Sequence, residues 1–459
     1  MLYETGRVHI QVRKEKMLSR INAADKTVAE QVHIRDASFP APFHAGLEYS
    51  SPARGTWNIV HTGMLIPEAH EIFVCACGCL RGVVLTAAEM NALDRYSSIS
   101  ISEEQVLDGG MEQLMIDGVK DIIEKLPLRP RAILLYISCQ HFFLAYDQQY
   151  VFDTLSDMFP DIRFVDCYMI PTLRKSGLTP DQKMRIQLYK AWERPEEKNE
   201  KQVNLIGSNL PLYEHAELSG WLSENGIVLR QIHDCKDFDD YLSMAASGLN
   251  IYYEPIVHMA AEDLKMRLGM DSCYLSFSFQ KEELLEDYRK LASRLSLPEP
   301  DFTAEIEEMK KAIGAAKEEI GDTEIVIDYS FTFRPLSFAR MLLAHGFHVT
   351  EIYADAFAAD DKEDFKYLQE QYPELVIRPT NRPGMRFVHE TSENNVLAVG
   401  QKAAYFRGTD HFVNVAESGG YFGFNGISEI MRLMREAYHE KKDRKEIIQK
   451  KGFGCESCI

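Results

Sequence analysis

The run Ala132-Ile-Leu-Leu-Tyr-Ile137 contains six apolar residues in succession and is followed by Ser138 and Cys139. An unbroken apolar run of this length is typical of a strand that is buried on both faces of a parallel sheet. Residues 163–168 predict a second parallel strand, and residues 110–125 have apolar positions at helical spacing. Alternating strands and helices predict βαβ crossovers. Ligands of such sheets bind beyond the carboxyl ends of the strands, which is where Cys139 falls.

The same alternation continues through the rest of the chain. A polar, charge-rich run at residues 193–202 predicts a domain boundary, and a third unit begins at Thr323. We therefore expect an α/β protein with three doubly wound, Rossmann-like parallel-sheet domains at residues 1–195, 203–321 and 322–459. Beyond the boundary, strands are predicted at residues 203–206, 227–232, 250–253, 273–277, 324–329, 348–353, 375–378, 396–399 and 412–415, and helices at residues 281–295, 303–320, 335–345 and 426–441.

Composition restricts the class of partner. The 459 residues carry a formal net charge of −19, which argues against nucleic acid because a phosphate backbone is bound by clustered Lys and Arg. No apolar stretch reaches the roughly 18–20 residues needed to cross a bilayer, and the first residues lack the apolar core of a signal peptide. Nine cysteines in a chain without signs of secretion indicate a reducing compartment. These features predict a cytoplasmic protein.

Three cysteines alternate with other residues in the run Phe73-Val-Cys-Ala-Cys-Gly-Cys-Leu-Arg-Gly82, at positions 75, 77 and 79. Together with Cys139 they form a set of thiolates that suits iron–sulfur clusters or zinc. In a strand the three side chains would project to one face about 7 Å apart, whereas in a loop they would converge. Zinc sites usually combine a short gap with a second cysteine or histidine pair, so the spacing favours a [4Fe–4S] cluster. The alternative is a group of small, buried thiols.

Two further motifs lie near the C-terminus. Cys455 and Cys458 form a Cys-x-x-Cys pair that suits metal ligation or redox exchange; the alternative is a disordered tail with exposed thiols. Gly420, Gly423 and Gly426 precede a predicted helix, where they would bring its N-terminus close to an anion or cofactor, or cap a tightly packed helix. The chain has no Gly-x-x-x-x-Gly-Lys-[Ser/Thr] motif, so we do not expect it to hydrolyse ATP by a P-loop.

Five stretches, taken in order, resemble motifs of one known family. They are residues 47–55, His61 with residues 75–82, residues 105–114, residues 139–147 and residues 417–426. Their order and spacing resemble the cluster loops and the C-terminal glycine-rich motif of component 1 of nitrogenase and its relatives. These relatives include the dark-operative protochlorophyllide and chlorophyllide reductases, the nickel-tetrapyrrole reductase of methanogen cofactor synthesis, and the methylthio-alkane reductases. The resemblance covers most of the chain and implies the nitrogenase component 1 fold.

The departures from the family pattern concern metal ligands. Leu47 stands where the family has its first cluster cysteine, whereas Cys79 and Cys139 match the second and third. Cys75 and Cys77 are additional, and one of them is a candidate to replace the missing ligand. The position that matches the histidine ligand of the nitrogenase cofactor is Phe422, and phenylalanine cannot ligate a metal. The resemblance therefore implies a member that does not reduce dinitrogen.

By resemblance, the chain is expected to be an iron–sulfur oxidoreductase component that accepts electrons from a separate ATP-hydrolysing iron protein and reduces a bound substrate. Its N-terminal domain would hold a [4Fe–4S] or larger iron–sulfur cluster, with ligands drawn from Cys75, Cys77, Cys79, Cys139, Cys455 and Cys458. Family members pair as homodimers or heterodimers, so a missing ligand would come from a second chain or from the C-terminal tail. The alternatives are a scaffold for cluster or metallocofactor assembly, and a zinc-stabilised α/β binding protein.

The sequence offers weaker candidates for the substrate cavity than for the cluster ligands. The glycine-rich motif offers four cofactor-binding candidates, namely Gly420, Tyr421, Phe422 and Gly423. Four further residues are weak catalytic candidates, namely His258, Arg382, Arg386 and His411. Two arginines close together suit a carboxylate or phosphate ligand. The alternatives are solvated arginines on a surface loop, structural histidines and ordinary core aromatic residues.

Overall fold

Strands and helices alternate along the whole chain. The computed structural model describes residues 30–44, 46–49, 51, 59–170, 177–388 and 395–451, with side chains up to residue 448. The strands are β1 (Val32–His33), β2 (Ala69–Ala76), β3 (Tyr96–Ile101), β4 (Ala132–Ser138), β5 (Arg163–Met169), β6 (Asn199–Leu205), β7 (Val228–Gln231), β8 (Ser247–Tyr252), β9 (Ser272–Tyr274), β10 (Glu324–Asp328), β11 (His348–Tyr353), β12 (Val376–Arg378), β13 (Val396–Val399) and β14 (Phe412–Val413). The helices are α1 (Ile59–Gly63), α2 (Cys77–Glu89), α3 (Glu103–Asp108), α4 (Met111–Lys125), α5 (Cys139–Phe143), α6 (Gln148–Met158), α7 (Pro180–Gln187), α8 (Glu217–Glu224), α9 (Phe238–Ser243), α10 (His258–Leu268), α11 (Lys281–Leu295), α12 (Thr303–Ile320), α13 (Pro335–Ala344), α14 (Lys362–Gln371), α15 (Gln401–Arg407) and α16 (Gly423–His439).

The strands form three separate sheets, one in each third of the chain. The N-terminal sheet has the order β3-β2-β4-β5 and the middle sheet the order β7-β6-β8-β9, and all their pairs are parallel. The C-terminal sheet has the order β1-β12-β11-β10-β13-β14 and is parallel except for β1. The predicted fold class, a mixed α/β protein with several parallel sheets, is therefore confirmed.

The N-terminal sheet shows why the apolar run at residues 132–137 decides the fold. Every residue of β4 is buried. Its side chains alternate, so that Leu134 and Tyr136 pack on one face while Ile133 and Leu135 pack on the other. A strand with both faces covered needs apolar residues at every position, which is why this run does not alternate with polar residues.

Each sheet reverses its strand order at one point. The first parallel strand of each sheet, β2, β6 or β10, lies between two later strands of the same sheet. The strand order therefore reverses between β2 and β4, between β6 and β8, and between β10 and β13. Crossover helices leave toward opposite faces on the two sides of such a point, and a crevice opens beyond the carboxyl ends of the two strands. These three crevices are the positions where side chains with chemical roles are expected.

The boundaries differ from the sequence predictions in a few places. Helices α11 and α12 have the predicted bounds of 281–295 and 303–320, as do strands β11 and β13 with 348–353 and 396–399. The charge-rich run at 193–202 is not wholly a linker, because β6 begins at Asn199. The first residues of β6 are polar and exposed, so this part of the strand has no apolar run that would predict it.

One segment joins a different sheet from its neighbours in sequence. Val32 and His33, in the range predicted for the N-terminal domain, form β1 and pair antiparallel with Ile377 and Val376 of β12. This short strand covers the edge of the C-terminal sheet. A two-residue strand has no periodicity, so the sequence carries no signal for it.

Buried clusters join the three sheets. One buried cluster joins Ile251 of the middle sheet to Ile327 of the C-terminal sheet, and another joins Tyr136 of the N-terminal sheet to Tyr252 of the middle sheet. Extensive apolar contact of this kind fixes the sheets relative to one another. No helix within the described ranges is both long and apolar enough to span a bilayer.

Candidate functional site

The crevice of the N-terminal sheet contains the clustered cysteines. Val74 of β2 lies opposite Ile137 of β4, so the residues that follow both strands emerge side by side. Cys77 and Cys79 lie in the first turn of α2, and Cys139 begins α5. The backbone N–H of Ala76 donates a hydrogen bond of 3.1 Å to Oε1 of Gln140, which ties the two loops together. We call this region, with Cys77, Cys79 and Cys139, the cysteine edge.

The four cysteines of the predicted set are not equivalent. Cys77 and Cys79 are exposed and Cys139 is half-buried, whereas Cys75 is completely buried. Cys75 packs in the core that contains Phe73 and Tyr136, but Cys139 packs against the core on the opposite face of the sheet. The strand alternation that the sequence suggested therefore applies to Cys75 alone, because the helix begins at Cys77.

Electrostatics also separate Cys75 from the others. Burial, followed by the nearby Cys79 and Cys77, raises the pKa of the Cys75 thiol to about 12. A buried thiol is a poor ligand until it loses its proton. Within the described part of the chain, no three side chains of His, Cys, Asp or Glu are grouped so as to hold a metal ion. Cys77, Cys79 and Cys139 are of the residue type that ligates iron–sulfur clusters and follow two neighbouring strands, but the described positions alone do not form a metal site.

Several large apolar side chains that follow β3 and β4 are exposed. Phe142, Phe143 and Leu144 follow Cys139 directly and are 54%, 68% and 45% exposed. Leu107 of α3, which follows the neighbouring strand β3, is 83% exposed. Contiguous apolar side chains left in water commonly mark an interaction surface.

The remaining predicted ligands lie in the C-terminal tail, and the loop at residues 47–55 lacks the family's first cysteine. Cys455 and Cys458 lie outside the described residues, as does most of residues 47–55. Leu47, which occupies the position of the family's first cluster cysteine, is described and is 83% exposed. A leucine side chain in that loop supplies no metal ligand.

Phe422 lies in a cluster of aromatic rings. Its ring is completely buried and is stacked on Tyr253, with centroids 5.7 Å apart and planes 7° from parallel. It meets Phe277 edge-on at 5.6 Å and Tyr288 at 5.9 Å. Tyr421, the preceding residue, is only partly buried and contacts Tyr213 edge-on at 5.2 Å.

The glycines beside Phe422 allow close approach of other parts of this chain. Gly423 has φ of +85°, and a Cβ there would lie 1.9 Å from Oε1 of Glu217. Gly420 has φ of +73°, and a Cβ there would lie 2.0 Å from the carbonyl oxygen of Pro211. The predicted anion at the N-terminus of α16 is the carboxylate of Glu217, which accepts hydrogen bonds from the backbone N–H groups of Phe424 at 2.6 Å and Asn425 at 3.0 Å.

The two histidine candidates occupy different places in the fold. Nδ1 of His411 is 3.0 Å from the carbonyl oxygen of Ala437, and the residue precedes β14 at the amino end of that strand. His258 is exposed at the start of α10, where Nδ1 is 2.9 Å from the hydroxyl of Tyr252 and Nε2 is 3.3 Å from Glu262. Both rings have local structural partners.

The arginine candidates lie on one surface turn after β12. Nε of Arg382 is 3.6 Å from Glu30, and its side chain is 14% exposed. Arg386 is exposed, and its guanidinium lies 5.9 Å from the ring centre of Phe387. The two arginines are thus close in sequence but differ in burial and in partner.

A buried charged cluster, which sequence reasoning missed, lies where the three domains meet. Arg185 comes from the N-terminal domain, Glu254 from the crevice of the middle sheet and Glu417 from the C-terminal domain, and all three are at most 9% exposed. Arg185 is 3.8 Å from Glu254 and donates a hydrogen bond to Thr62. Glu417 accepts a hydrogen bond of 3.1 Å from Asn209. We call Arg185, Glu254 and Glu417 the carboxylate junction.

The carboxylate junction has two acids for one base. Burial raises the pKa of Glu254 to about 8; Arg185 lowers it and the nearby Glu417 raises it further. Glu417 has φ of +49° and Ser418 φ of +63°, a conformation that non-glycine residues rarely adopt. The sequence offers two weak signals for this cluster: Glu254 directly follows the strand predicted at residues 250–253, and Glu417 precedes Ser418, Gly419 and Gly420.

Comparison with solved structures identifies the fold. The structure of nitrogenase Cp1 at pH 6.5 matches with a TM-score of 0.66 and 11% sequence identity, over 86% of this chain and 94% of that chain. The structure of nitrogenase Cp1 at pH 5 matches with a TM-score of 0.59 and 14% identity, over 89% of this chain and 93% of that chain. No family model and no curated protein matches the sequence. The chain therefore has a nitrogenase component 1-like fold, as the resemblance implied, and at these identities the likeness extends to the fold alone.

Proposed function

We propose that this chain is the iron–sulfur component of a nitrogenase-like reductase. It accepts electrons from an ATP-hydrolysing iron protein and passes them to a bound substrate other than dinitrogen. The cysteine edge carries this proposal, because Cys77, Cys79 and Cys139 lie at the crevice between two parallel strands, where α/β folds bind ligands. The fold shared with nitrogenase Cp1 supports it.

The protein contributes position and charge at this edge. Cys77 and Cys79 lie in the first turn of the 13-residue helix α2, where unpaired backbone N–H groups favour negatively charged groups such as thiolates. An iron–sulfur cluster bound there supplies one-electron transfer. The hydrogen bond from the backbone N–H of Ala76 to Gln140 ties the start of α2 to the start of α5, the two segments that carry Cys77, Cys79 and Cys139.

Two partners follow from the proposal. The iron protein supplies the ATP hydrolysis for which this chain lacks a P-loop. A second chain, identical or homologous, covers the exposed Phe142 and Phe143 and supplies the ligand that Leu47 does not. Analytical ultracentrifugation of the anaerobically purified protein is expected to show a dimer or larger assembly, and Phe143→Asp is expected to shift it toward monomer.

The decisive experiment is metal analysis of the protein prepared without oxygen. We expect iron and sulfide with an EPR signal after reduction, and turnover that needs both ATP and an iron protein. Cys79→Ala is expected to lose the iron, whereas Cys235→Ser, which alters a half-buried cysteine of the middle domain, is the matched control that keeps it. Zinc without iron would instead support the zinc-stabilised binding protein.

The exposure of Cys77 and Cys79 favours one second candidate, a scaffold for cluster or metallocofactor assembly. A cluster held at an exposed edge is accessible to an acceptor protein. Incubation with an apo-ferredoxin distinguishes the two functions. Transfer of the whole cluster to the acceptor would support the scaffold, and retention of the cluster through many turnovers would support the reductase.

A further inference from the structure

The aromatic rings around Phe422 occupy the place where the family resemblance puts a metallocofactor ligand. We call Tyr253, Phe277, Tyr288, Phe333 and Phe422 the aromatic centre. The rings come from two domains: Tyr253 follows β8, Phe277 follows β9 and Tyr288 belongs to α11, whereas Phe333 follows β10 and Phe422 precedes α16. They therefore lie at the contact between the middle and C-terminal domains.

The rings of the aromatic centre are in contact with one another, and Phe333 is the partly buried member. Phe277 and Phe333 have centroids 4.9 Å apart and meet edge-on, and Tyr253 is stacked on Phe333 at 6.2 Å. These centroid distances, and those from Phe422 to Tyr253, Phe277 and Tyr288 given above, all fall within the range of rings in direct contact, which is about 4.5–7 Å. Phe277 and Phe422 are each at most 1% exposed. Interiors packed in this way have few voids larger than a water molecule.

The polar atoms near these rings already have partners within the chain. The hydroxyl of Tyr253 donates to Oγ of Ser208 at 3.4 Å, and the hydroxyl of Tyr288 donates to Glu217 at 2.9 Å. At the N-terminus of α16, Glu217 already accepts hydrogen bonds from the backbone N–H groups of Phe424 and Asn425. Phenyl rings supply no metal ligand, and Cys273, the cysteine nearest in sequence, is buried in β9.

We infer that the aromatic centre holds no metallocofactor and is a structural contact between two domains. The residues present do not fit the group that the fold family places there. As an extension that rests on the proposed function, the redox chemistry of the described residues is confined to the cysteine edge, and the substrate receives its electrons there.

Iron content separates the two regions. The protein in which Cys77, Cys79, Cys139, Cys455 and Cys458 are all replaced by Ala is expected to retain no iron, because the aromatic centre holds none. Phe422→His, which restores the family's ligand type, is expected to leave the iron content and the EPR spectrum of the otherwise natural protein unchanged. Iron that persists without the cysteines, or a new imidazole coupling in Phe422→His, would overturn the inference.

Xenon binding tests the packing of the aromatic centre independently of any iron–sulfur cluster. Its result is therefore informative even if the protein contains no iron. Apolar cavities take up xenon, whereas filled cores do not. The natural protein and the control variant Phe387→Ala, which removes an exposed ring, are expected to give the same xenon NMR shift per mole of protein. Phe422→Ala, or the milder Phe422→Leu if the first does not fold, is expected to give a larger shift. A natural protein that already shows the larger shift, with no further change in the variants, would mean that the centre is open.

Discussion

The cysteine edge and the aromatic centre are built in opposite ways. Both lie beyond the carboxyl ends of parallel strands, where α/β folds bind ligands. At the cysteine edge, Cys77, Cys79 and Phe143 are exposed. At the aromatic centre, Phe277 and Phe422 are buried and in contact. A crevice in this fold is thus a position where a ligand is possible, and its side chains decide whether one binds.

The largest expected effect separates exposed from buried cysteines. Cys79→Ala is expected to abolish the iron–sulfur absorbance and leave the melting temperature of the apoprotein unchanged, because an exposed side chain contributes little to packing. Cys75→Ala is expected to lower that melting temperature, because Cys75 fills part of a buried core. Absorbance and thermal unfolding measured on both variants give the two effects. Loss of the cluster in Cys75→Ala at an unchanged melting temperature would place Cys75 among the ligands.

The next effect concerns the stability of the aromatic centre. Phe422→Ala is expected to lower the free energy of unfolding by about 3–5 kcal/mol, because it removes a completely buried ring. Phe387→Ala, on a ring that is 37% exposed, is expected to change it by no more than about 1 kcal/mol. Urea unfolding of the two variants measures the difference. Equal losses would show that the rings around Phe422 are loosely packed.

A pH effect is expected at the carboxylate junction. The pKa of Glu254 rises from 4.5 to about 8 on folding, so the folded protein holds a proton that the unfolded chain has lost between these values. Glu254 therefore makes the protein less stable as pH rises through this window, by up to about 1.4 kcal/mol per pH unit, and its contribution is constant above it. Asp361, whose pKa burial raises to about 7, adds a slope of the same sign.

The substitution Glu254→Gln isolates this contribution. The variant is expected to show a shallower fall in unfolding free energy between pH 5 and 8 than the natural protein, since a glutamine does not titrate. The groups that face Glu254 are Arg185, Glu417 and Ser208, and they are unchanged in the variant. Urea unfolding across the pH range measures both slopes. Parallel slopes would show that Glu254 stays ionised in the folded protein.

The smallest effect is expected at the link between the two cysteine loops. Gln140→Ala removes one hydrogen bond, from the backbone N–H of Ala76, and is expected to cost about 1 kcal/mol or less. Its readout is the rate at which a chelator removes iron, which is expected to rise because the loops are no longer tied. Gln149→Ala, on an exposed glutamine of α6 whose side chain bonds to Asp153 and not to this link, is the control.

Local patterns predicted much of the fold and only part of the candidate site. The apolar run at residues 132–137 and the amphipathic segment at 281–295 predicted a buried strand and a helix whose bounds the structure largely reproduces. The cysteines were visible because metal-ligating residues close in sequence are recognisable by type and spacing. The carboxylate junction was not, because Arg185, Glu254 and Glu417 are far apart in sequence and meet only in the folded protein.

The amino-acid sequence by itself determined that parallel sheets form and that thiols follow β2 and β4, since periodicity and residue type act over a few neighbouring positions. Tertiary structure alone decided which of those thiols lie at the surface and what surrounds Phe422. Burial depends on the elements that pack over a residue, and these come from distant parts of the chain. For that reason Cys75 and Cys79, four positions apart, have opposite exposure, and Phe422 lies among rings from two domains.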